Sequence, residues 1–219
     1  MKLMVLFPGW GTSRSLYEGL KLEGYELLIV DSFNKESLVQ EIVRRNPSEI
    51  NFLGWSMGTM MALRYLNDFR VNKLILLAPT LYFLKNQPKI VVKKMIRDIE
   101  RNKLRTLINF SRLNFYNKSF YEDYLEKYRK ELKELDSNYL KEGLRLLLEE
   151  DLRDMNIIEG VRPLVVVTKE DEIITNSSSK QVLEFFKDYD FYILEGVGHN
   201  MIYEAEEEVN ELIRRYLVD

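Results

Sequence analysis

Ile50-Asn51-Phe52-Leu53-Gly54-Trp55-Ser56-Met57-Gly58-Thr59-Met60-Met61-Ala62-Leu63 runs from an apolar, strand-like segment through Gly-x-Ser-x-Gly into small and apolar helix formers. In a turn of this kind a serine sits on a sharp strand-to-helix corner, and the flanking glycines let neighbouring backbones pass close to it. Its hydroxyl is lifted out of the sheet, and the N–H groups that follow point at any negative charge forming beside it. Five residues are a short pattern, however. A glycine-rich corner carrying an ordinary surface serine reads the same way, so the rest of the chain has to decide.

At 219 residues, with 46% hydrophobic and 12% aromatic content, the chain can bury one good core and hardly two. No apolar run is long enough to span a bilayer, and the apolar start before Pro8-Gly9 is too short for a signal peptide. A cytoplasmic protein without membrane contact is therefore expected, and a monomer. The absence of cysteine excludes disulfides, thiolate metal sites and cysteine nucleophiles together. There is one histidine, His199, so any imidazole chemistry must use it and zinc sites of the usual histidine-rich kind are not expected. A net charge of −3 gives no reason to expect nucleic acid as a partner.

Outward from the opening stretch, residues 2–7 form a short apolar strand that ends in Pro8-Gly9-Trp10-Gly11-Thr12-Ser13. A helix over 15–22, a buried strand over 25–30 and a helix over 35–45 stopped by Asn46-Pro47 lead into the central strand. A further strand over 72–78 follows and is ended by Pro79. These strands do not alternate and lie between helices, which predicts a mainly parallel sheet covered on both faces, an α/β fold.

The pattern breaks at residue 81. Up to residue 154 no strand-like run occurs, and three amphipathic helices do. One runs from Pro88 to about residue 110. The next carries Tyr121, Tyr124, Leu125, Tyr128, Leu132 and Leu135, and the third follows Asp136-Ser137 with Leu140, Leu144, Leu147 and Leu148. The sheet resumes over 163–168, followed by the acidic loop Lys169-Glu170-Asp171-Glu172, a helix over 177–187 and a last strand over 189–194. Glu195-Gly196-Val197-Gly198-His199-Asn200 and a closing helix to residue 218 complete the chain. The expected organisation is a core of residues 1–80 and 155–219 with a helical cap, 81–154, inserted in it.

Ser56, Asp171 and His199 fall in loops at one edge of this sheet, in the chain order that a serine elbow requires. A serine hydroxyl needs a base within hydrogen-bond reach to become a nucleophile, and His199 is the sole candidate. A carboxylate must fix the imidazole tautomer and offset its developing charge. Asp171 is the choice, with Glu170 and Glu172 as local competitors. The backbone N–H groups of Met57 and Trp10 would supply an oxyanion hole.

These residues resemble the α/β-hydrolase superfamily over nearly the whole chain. The resemblance rests on Pro8-Gly9-Trp10-Gly11, Gly54-Trp55-Ser56-Met57-Gly58, the acid loop after Pro163-Leu164-Val165-Val166, and Gly196-Val197-Gly198-His199. The helical insertion sits where that superfamily places its cap. More narrowly, Gly9-Trp10-Gly11 with Gly54-Trp55-Ser56-Met57-Gly58 is similar to the pimeloyl-acyl-carrier-protein methyl ester esterases of biotin synthesis. The chain departs from the usual pattern at Pro8, where the superfamily has histidine, and at Ser32-Phe33-Asn34, which replaces a glycine-rich turn. It begins at what would be the family's third strand, so about six strands are expected.

Lys89, Lys93, Arg97, Arg101 and Arg105 recur every four residues along the first cap helix, opposed only by Asp98 and Glu100. Such a stripe in a chain of negative net charge is either a solvated face or a surface for something acidic. The resemblance implies that a basic cap binds acyl carrier protein, with Lys93, Arg97, Arg101 and Arg105 as the docking residues. Trp10, Trp55, Phe83, Phe110, Phe115, Tyr116 and Phe120 are candidates either to line an acyl pocket or to pack core and cap. The reading is a serine carboxylesterase with no cofactor or metal. Its preferred substrate is the carrier-linked pimeloyl methyl ester, with a general carboxylesterase or thioesterase, or a non-catalytic binding protein of the same fold, as alternatives.

Overall fold

A computed structural model describes residues 1–156 and 160–218; the parts of the expected core segment at 157–159 and 219 lie outside the described residues. Six parallel strands form one sheet: β1 (Lys2–Phe7), β2 (Tyr25–Ile29), β3 (Glu49–Trp55), β4 (Val71–Leu77), β5 (Pro163–Thr168) and β6 (Asp190–Leu194). Their spatial order is β2-β1-β3-β4-β5-β6. In the four central strands Leu6, Leu53 and Ile75 stand in register with Leu164, and all four are fully buried. Two-sided burial is what non-alternating apolar strands require.

The chain steps from β1 to β2 on one side and then returns to β3 on the other. The switch point therefore lies between β1 and β3, and the crevice beyond their carboxyl ends is where open parallel sheets bind ligands. The Gly9-Trp10-Gly11 turn leaves β1 there, and Ser56 leaves β3 there.

Helices α1 (Lys35–Arg45), α2 (Met57–Tyr65), α6 (Asn176–Leu183), α7 (Met201–Glu204) and α8 (Glu206–Val218) accompany the sheet. Local chemistry sets their ends. The Asn34 side chain accepts from the Ser37 N–H at the start of α1, and Asn46 closes that helix in the left-handed conformation just before Pro47. Residues 57–63 of α2 are buried all round, which suits a helix enclosed by the sheet and its neighbours.

Three expected helices outside the insertion come out shorter or divided. The helix expected over 15–22 is a 3₁₀ turn at Arg14–Gly19, after which Leu20 is already extended. The helix expected over 177–187 tightens after Leu183 into turns of the i to i−3 type that carry Phe186 into the core. The closing helix is split at Ala205 into α7 and α8.

Between β4 and β5 lies the helical insertion: α3 (Lys89–Ser111), α4 (Lys118–Glu134) and α5 (Ser137–Glu149). The Asn117 and Asp136 side chains cap α4 and α5 by accepting from the N–H groups of Ser119 and Tyr139. Helix α3 is interrupted at Asn102 (φ −157°, ψ 78°), where periodicity alone predicts an unbroken helix. The Asn102 carboxamide accepts from the Arg105 N–H at 3.1 Å and so caps the second half. A short polar side chain competes with the backbone ladder in this way. Among the described residues no helix is long and apolar enough to cross a membrane.

Candidate active site

Strand β3 delivers Ser56 at φ 55° and ψ −120°, a conformation that L-residues rarely adopt. The surroundings over-determine it. The Ser56 N–H donates to the Leu77 carbonyl at 2.9 Å, and the Ser56 carbonyl accepts from both the N–H and the hydroxyl of Thr59. The flanking glycines are steric necessities. A Cβ on Gly58 would stand 1.8 Å from the Phe7 carbonyl oxygen, and one on Gly54 would stand 2.7 Å from the carbonyl oxygen of Gly58. No side-chain adjustment relieves a clash with main chain.

His199, in the loop after β6, brings Nε2 to 2.7 Å from Ser56 Oγ and Nδ1 to 2.7 Å from Asp171 Oδ2. With Nδ1–H donating to the carboxylate, Nε2 is left as an acceptor for the serine hydroxyl. Asp171, in the loop after β5, is itself fixed: its Oδ1 accepts from the N–H groups of Ile173 at 2.7 Å and Ile174 at 2.8 Å. The site is buried, with Ser56 7% exposed and the His199 and Asp171 side chains 2% and 3% exposed. Low local dielectric strengthens each of these interactions.

The two glutamates beside Asp171 do other things. Glu170 Oε2 accepts from the N–H groups of Gly196 at 2.8 Å and Val197 at 3.3 Å, holding the start of the histidine loop. Glu172 is exposed, and its backbone carbonyl accepts from the Gln87 carboxamide at 3.3 Å.

Met57 opens α2, so its N–H has no carbonyl one turn back within the helix. The turn carrying Trp10 is braced from below by buried Tyr17. The Tyr17 hydroxyl accepts from the Gly9 N–H at 2.9 Å and donates to Thr12 Oγ1 at 2.8 Å, while that threonine donates to the Gly9 carbonyl at 2.9 Å. Burial pushes the Tyr17 phenol far above its ordinary value and keeps it protonated as a donor.

The insertion sits directly on this turn. The Trp10 indole donates to the Leu140 carbonyl of α5 at 2.8 Å and meets Phe110 of α3 edge-on at 4.9 Å. A Cβ on Gly143 would lie 2.8 Å from Trp10 Cδ1 and 3.0 Å from Met57 Sδ, and one on Gly11 would lie 2.9 Å from Leu107 Cδ2. Of the other aromatic candidates, Trp55 and Phe83 are buried, Phe110 and Phe115 are packed against the core, and Tyr116 and Phe120 are exposed.

The candidate docking residues Lys93, Arg97, Arg101 and Arg105 are all exposed on α3. Arg105 lies beyond the break at Asn102, so the stripe is not one continuous row. Arg101, Arg105 and Lys94 nevertheless border one hollow of about 280 Å³ at that break. Lys94 is paired with Asp98, whereas Lys93, Arg97, Arg101 and Arg105 have no ion pair among the described residues. No group of three or more histidine and acidic side chains among the described residues is arranged to hold a metal ion.

Sequence reading missed three contributors. Trp55 donates its indole N–H to the His199 carbonyl at 3.1 Å, which a buried indole's need for an acceptor could have suggested. Tyr17 carried no signal, and neither did Glu204, whose carboxylate accepts from the Gly198 N–H beside His199 at 2.7 Å but which stands among Glu206, Glu207 and Glu208 in the sequence.

The sequence matches the model of the alpha/beta hydrolase family over residues 3–212. The chain belongs to that family. An esterase from Exiguobacterium antarcticum superposes with a TM-score of 0.85 at 21% identity, over 100% of this chain and 92% of its own. A bromoperoxidase from Bacillus anthracis gives 0.82 at 17%, over 100% and 92%. An enol-lactonase from Burkholderia xenovorans LB400 gives 0.78 at 15%, over 100% and 92%. At these identities the likeness speaks for the fold alone. No curated protein sequence matches the chain.

Proposed function

We propose that this hydrolase is a serine carboxylesterase, and the observation that carries the reading is the unbroken relay from Ser56 through His199 to Asp171. Ser56 Oγ attacks the ester carbonyl carbon while His199 Nε2 takes the hydroxyl proton. Asp171 holds the Nδ1–H and stabilises the imidazolium without taking its proton. The oxyanion is met by the N–H groups of Met57 and Trp10. Collapse breaks the ester C–O bond, and His199 returns the proton to the departing alkoxide. Water, deprotonated by the same histidine, then releases the acid and regenerates Ser56.

As substrate we infer the methyl ester of a pimeloyl chain carried on acyl carrier protein, hydrolysed in biotin precursor synthesis. The tryptophan motifs and the exposed Lys93, Arg97, Arg101 and Arg105 of α3 support this. A small acyl ester or thioester is the second reading, favoured by how closely α3 and α5 cover the Trp10 turn. No cofactor enters either scheme.

Hydrolysis of p-nitrophenyl acetate tests the reading. The wild type should turn over, and Ser56→Ala and His199→Ala should each lose at least about a thousandfold in kcat. Activity surviving either change would overturn the triad, and inactivity of a folded wild type toward esters and thioesters would favour a non-catalytic binding protein.

A further inference from the structure

Five consecutive residues of the histidine loop, 196–200, each have a backbone group held by a hydrogen bond to a residue outside the loop. Gly196, Val197 and His199 are held by Glu170 and Trp55, which belong to the sheet and its loops. Gly198 and Asn200 are different. The Asn200 N–H donates to the Asn114 carbonyl of the insertion at 2.7 Å, and the Gly198 N–H donates to Glu204 Oε2 at 2.7 Å. That same oxygen accepts from the Tyr116 N–H at 3.2 Å, and Glu204 Oε1 accepts from the Asn117 N–H at 2.8 Å. One carboxylate thus joins the residue before His199 to the segment between α3 and α4.

We propose that Glu204 is a positioning residue that locks the seated helical insertion to the histidine loop and thereby sets His199 for proton transfer; this rests on the esterase reading above. Three amide donors on a single carboxylate form a charge-assisted, directional bridge. The approach it spans is too close for any side chain: a Cβ on Gly198 would lie 2.6 Å from the Tyr116 nitrogen and 2.7 Å from the Asn114 oxygen.

Cohesion comes from elsewhere. Next to Glu204, the Tyr203 ring meets Tyr124 at 5.6 Å, Phe115 and Tyr128 at 6.0 Å, and Phe120 at 6.3 Å. The hydrophobic part of this contact is non-directional and tolerates small shifts that a short hydrogen bond does not. The bridge fixes register. Loss of Glu204 should therefore leave the insertion attached while His199 loses its setting, and a misplacement on the order of 1 Å costs up to about a hundredfold in rate.

Glutamine at 204 keeps one acceptor oxygen but turns an N–H₂ toward an amide N–H, so it restores only part of the bridge. In Glu204→Ala, kcat for p-nitrophenyl acetate should fall about 10- to 100-fold with KM changed less than about twofold, and Glu204→Gln should lie between. Gly198→Ala, which wedges the same two segments apart, should lower kcat likewise. Added to Glu204→Ala, it should cost much less than the sum.

Two readouts do not depend on turnover. Amide exchange at Tyr116, Asn117 and Gly198 should accelerate together in Glu204→Ala, and the Nδ1 proton resonance of the sole histidine should broaden or shift. The proposal is overturned if kcat holds within about twofold, if Gly198 stays protected while 116 and 117 exchange, or if the kcat loss in both Glu204 variants merely tracks a loss of melting temperature. A wild type inert toward esters would sink the esterase reading instead, with the exchange and resonance data still deciding on the bridge.

Discussion

The indole of Trp55, the residue before the nucleophile candidate, donates to the backbone carbonyl of His199, the base candidate, at 3.1 Å. Its ring also lies 5.5 Å from the imidazole and against Gly9, where an added Cβ would fall 2.7 Å from Trp55 Cε3. One side chain thus ties the corner after β3 to the loop after β6 and to the turn after β1. Trp55→Phe keeps much of that packing but strands a buried carbonyl. The expected loss is about 1–3 kcal/mol in urea unfolding, with kcat for a small ester falling more than KM rises. Unchanged stability together with unchanged kcat would show the bond to be dispensable.

Ser56 stores backbone strain, which two substitutions separate from chemistry. Both Ser56→Ala and Ser56→Gly remove the hydroxyl and should abolish ester hydrolysis. At φ 55° and ψ −120°, however, alanine keeps the steric cost of a Cβ, on the order of 1–3 kcal/mol, whereas glycine sheds it. Glycine's entropy in the unfolded chain takes back roughly 0.5–1 kcal/mol. Ser56→Gly should therefore be the more stable of the two by about 1 kcal/mol in denaturant midpoints. The reverse order would mean that the corner is unstrained.

The sheet and the serine corner were legible because they are dictated by local chemistry: runs of buried apolar residues, and glycines at positions where a Cβ meets main chain. The acid was narrower ground. Glu170, Asp171 and Glu172 are chemically alike in sequence, and only the fold puts Asp171 on the imidazole and Glu170 on the Gly196 and Val197 amides. The break at Asn102 was hidden because helical spacing of apolar residues continues through it, while a single side chain's competition for Arg105 decides the backbone. The bridge at Glu204 was invisible for a deeper reason. Its partners are backbone amides, which carry no signature in the residues that own them.

Tyr216 gives a test of linkage on the alkaline side. Its hydroxyl donates to the Arg162 carbonyl at 2.5 Å and accepts from the Leu74 N–H at 3.0 Å, joining α8 to the middle of β4 and to the residue just before β5. Burial, its largest influence, pushes the phenol up to about 12 from an ordinary value of 10.0. The folded state therefore holds the proton more tightly than the unfolded chain, so the contribution is whole below about pH 10 and is lost as pH rises toward 12. A rise of that size corresponds to roughly 2–3 kcal/mol. Tyr216→Phe should be less stable at pH 8 by about 1–2 kcal/mol through the lost hydrogen bonds, and the gap to wild type should close between pH 10 and 12. Parallel curves would show that Tyr216 does not titrate in this range.

The docking proposal turns on which charges of α3 are already compensated. Lys94 is paired with Asp98, and Lys141 of α5 with Glu100, whereas Arg97 and Arg101 flank Asp98 without an ion pair among the described residues. Reversing them, Arg97→Glu with Arg101→Glu, should raise KM for a carrier-linked ester several-fold and leave p-nitrophenyl acetate untouched, since α3 is exposed at both positions. Asp98→Asn should act in the opposite sense, because it removes the acidic group that offsets the stripe. Added salt should weaken the carrier reaction alone, as charges more than about 10 Å apart are screened at 0.1 M. Equal loss on both substrates would place the effect in the site beneath the insertion. No loss on either would leave the stripe a solvated face and turn the substrate assignment toward small esters.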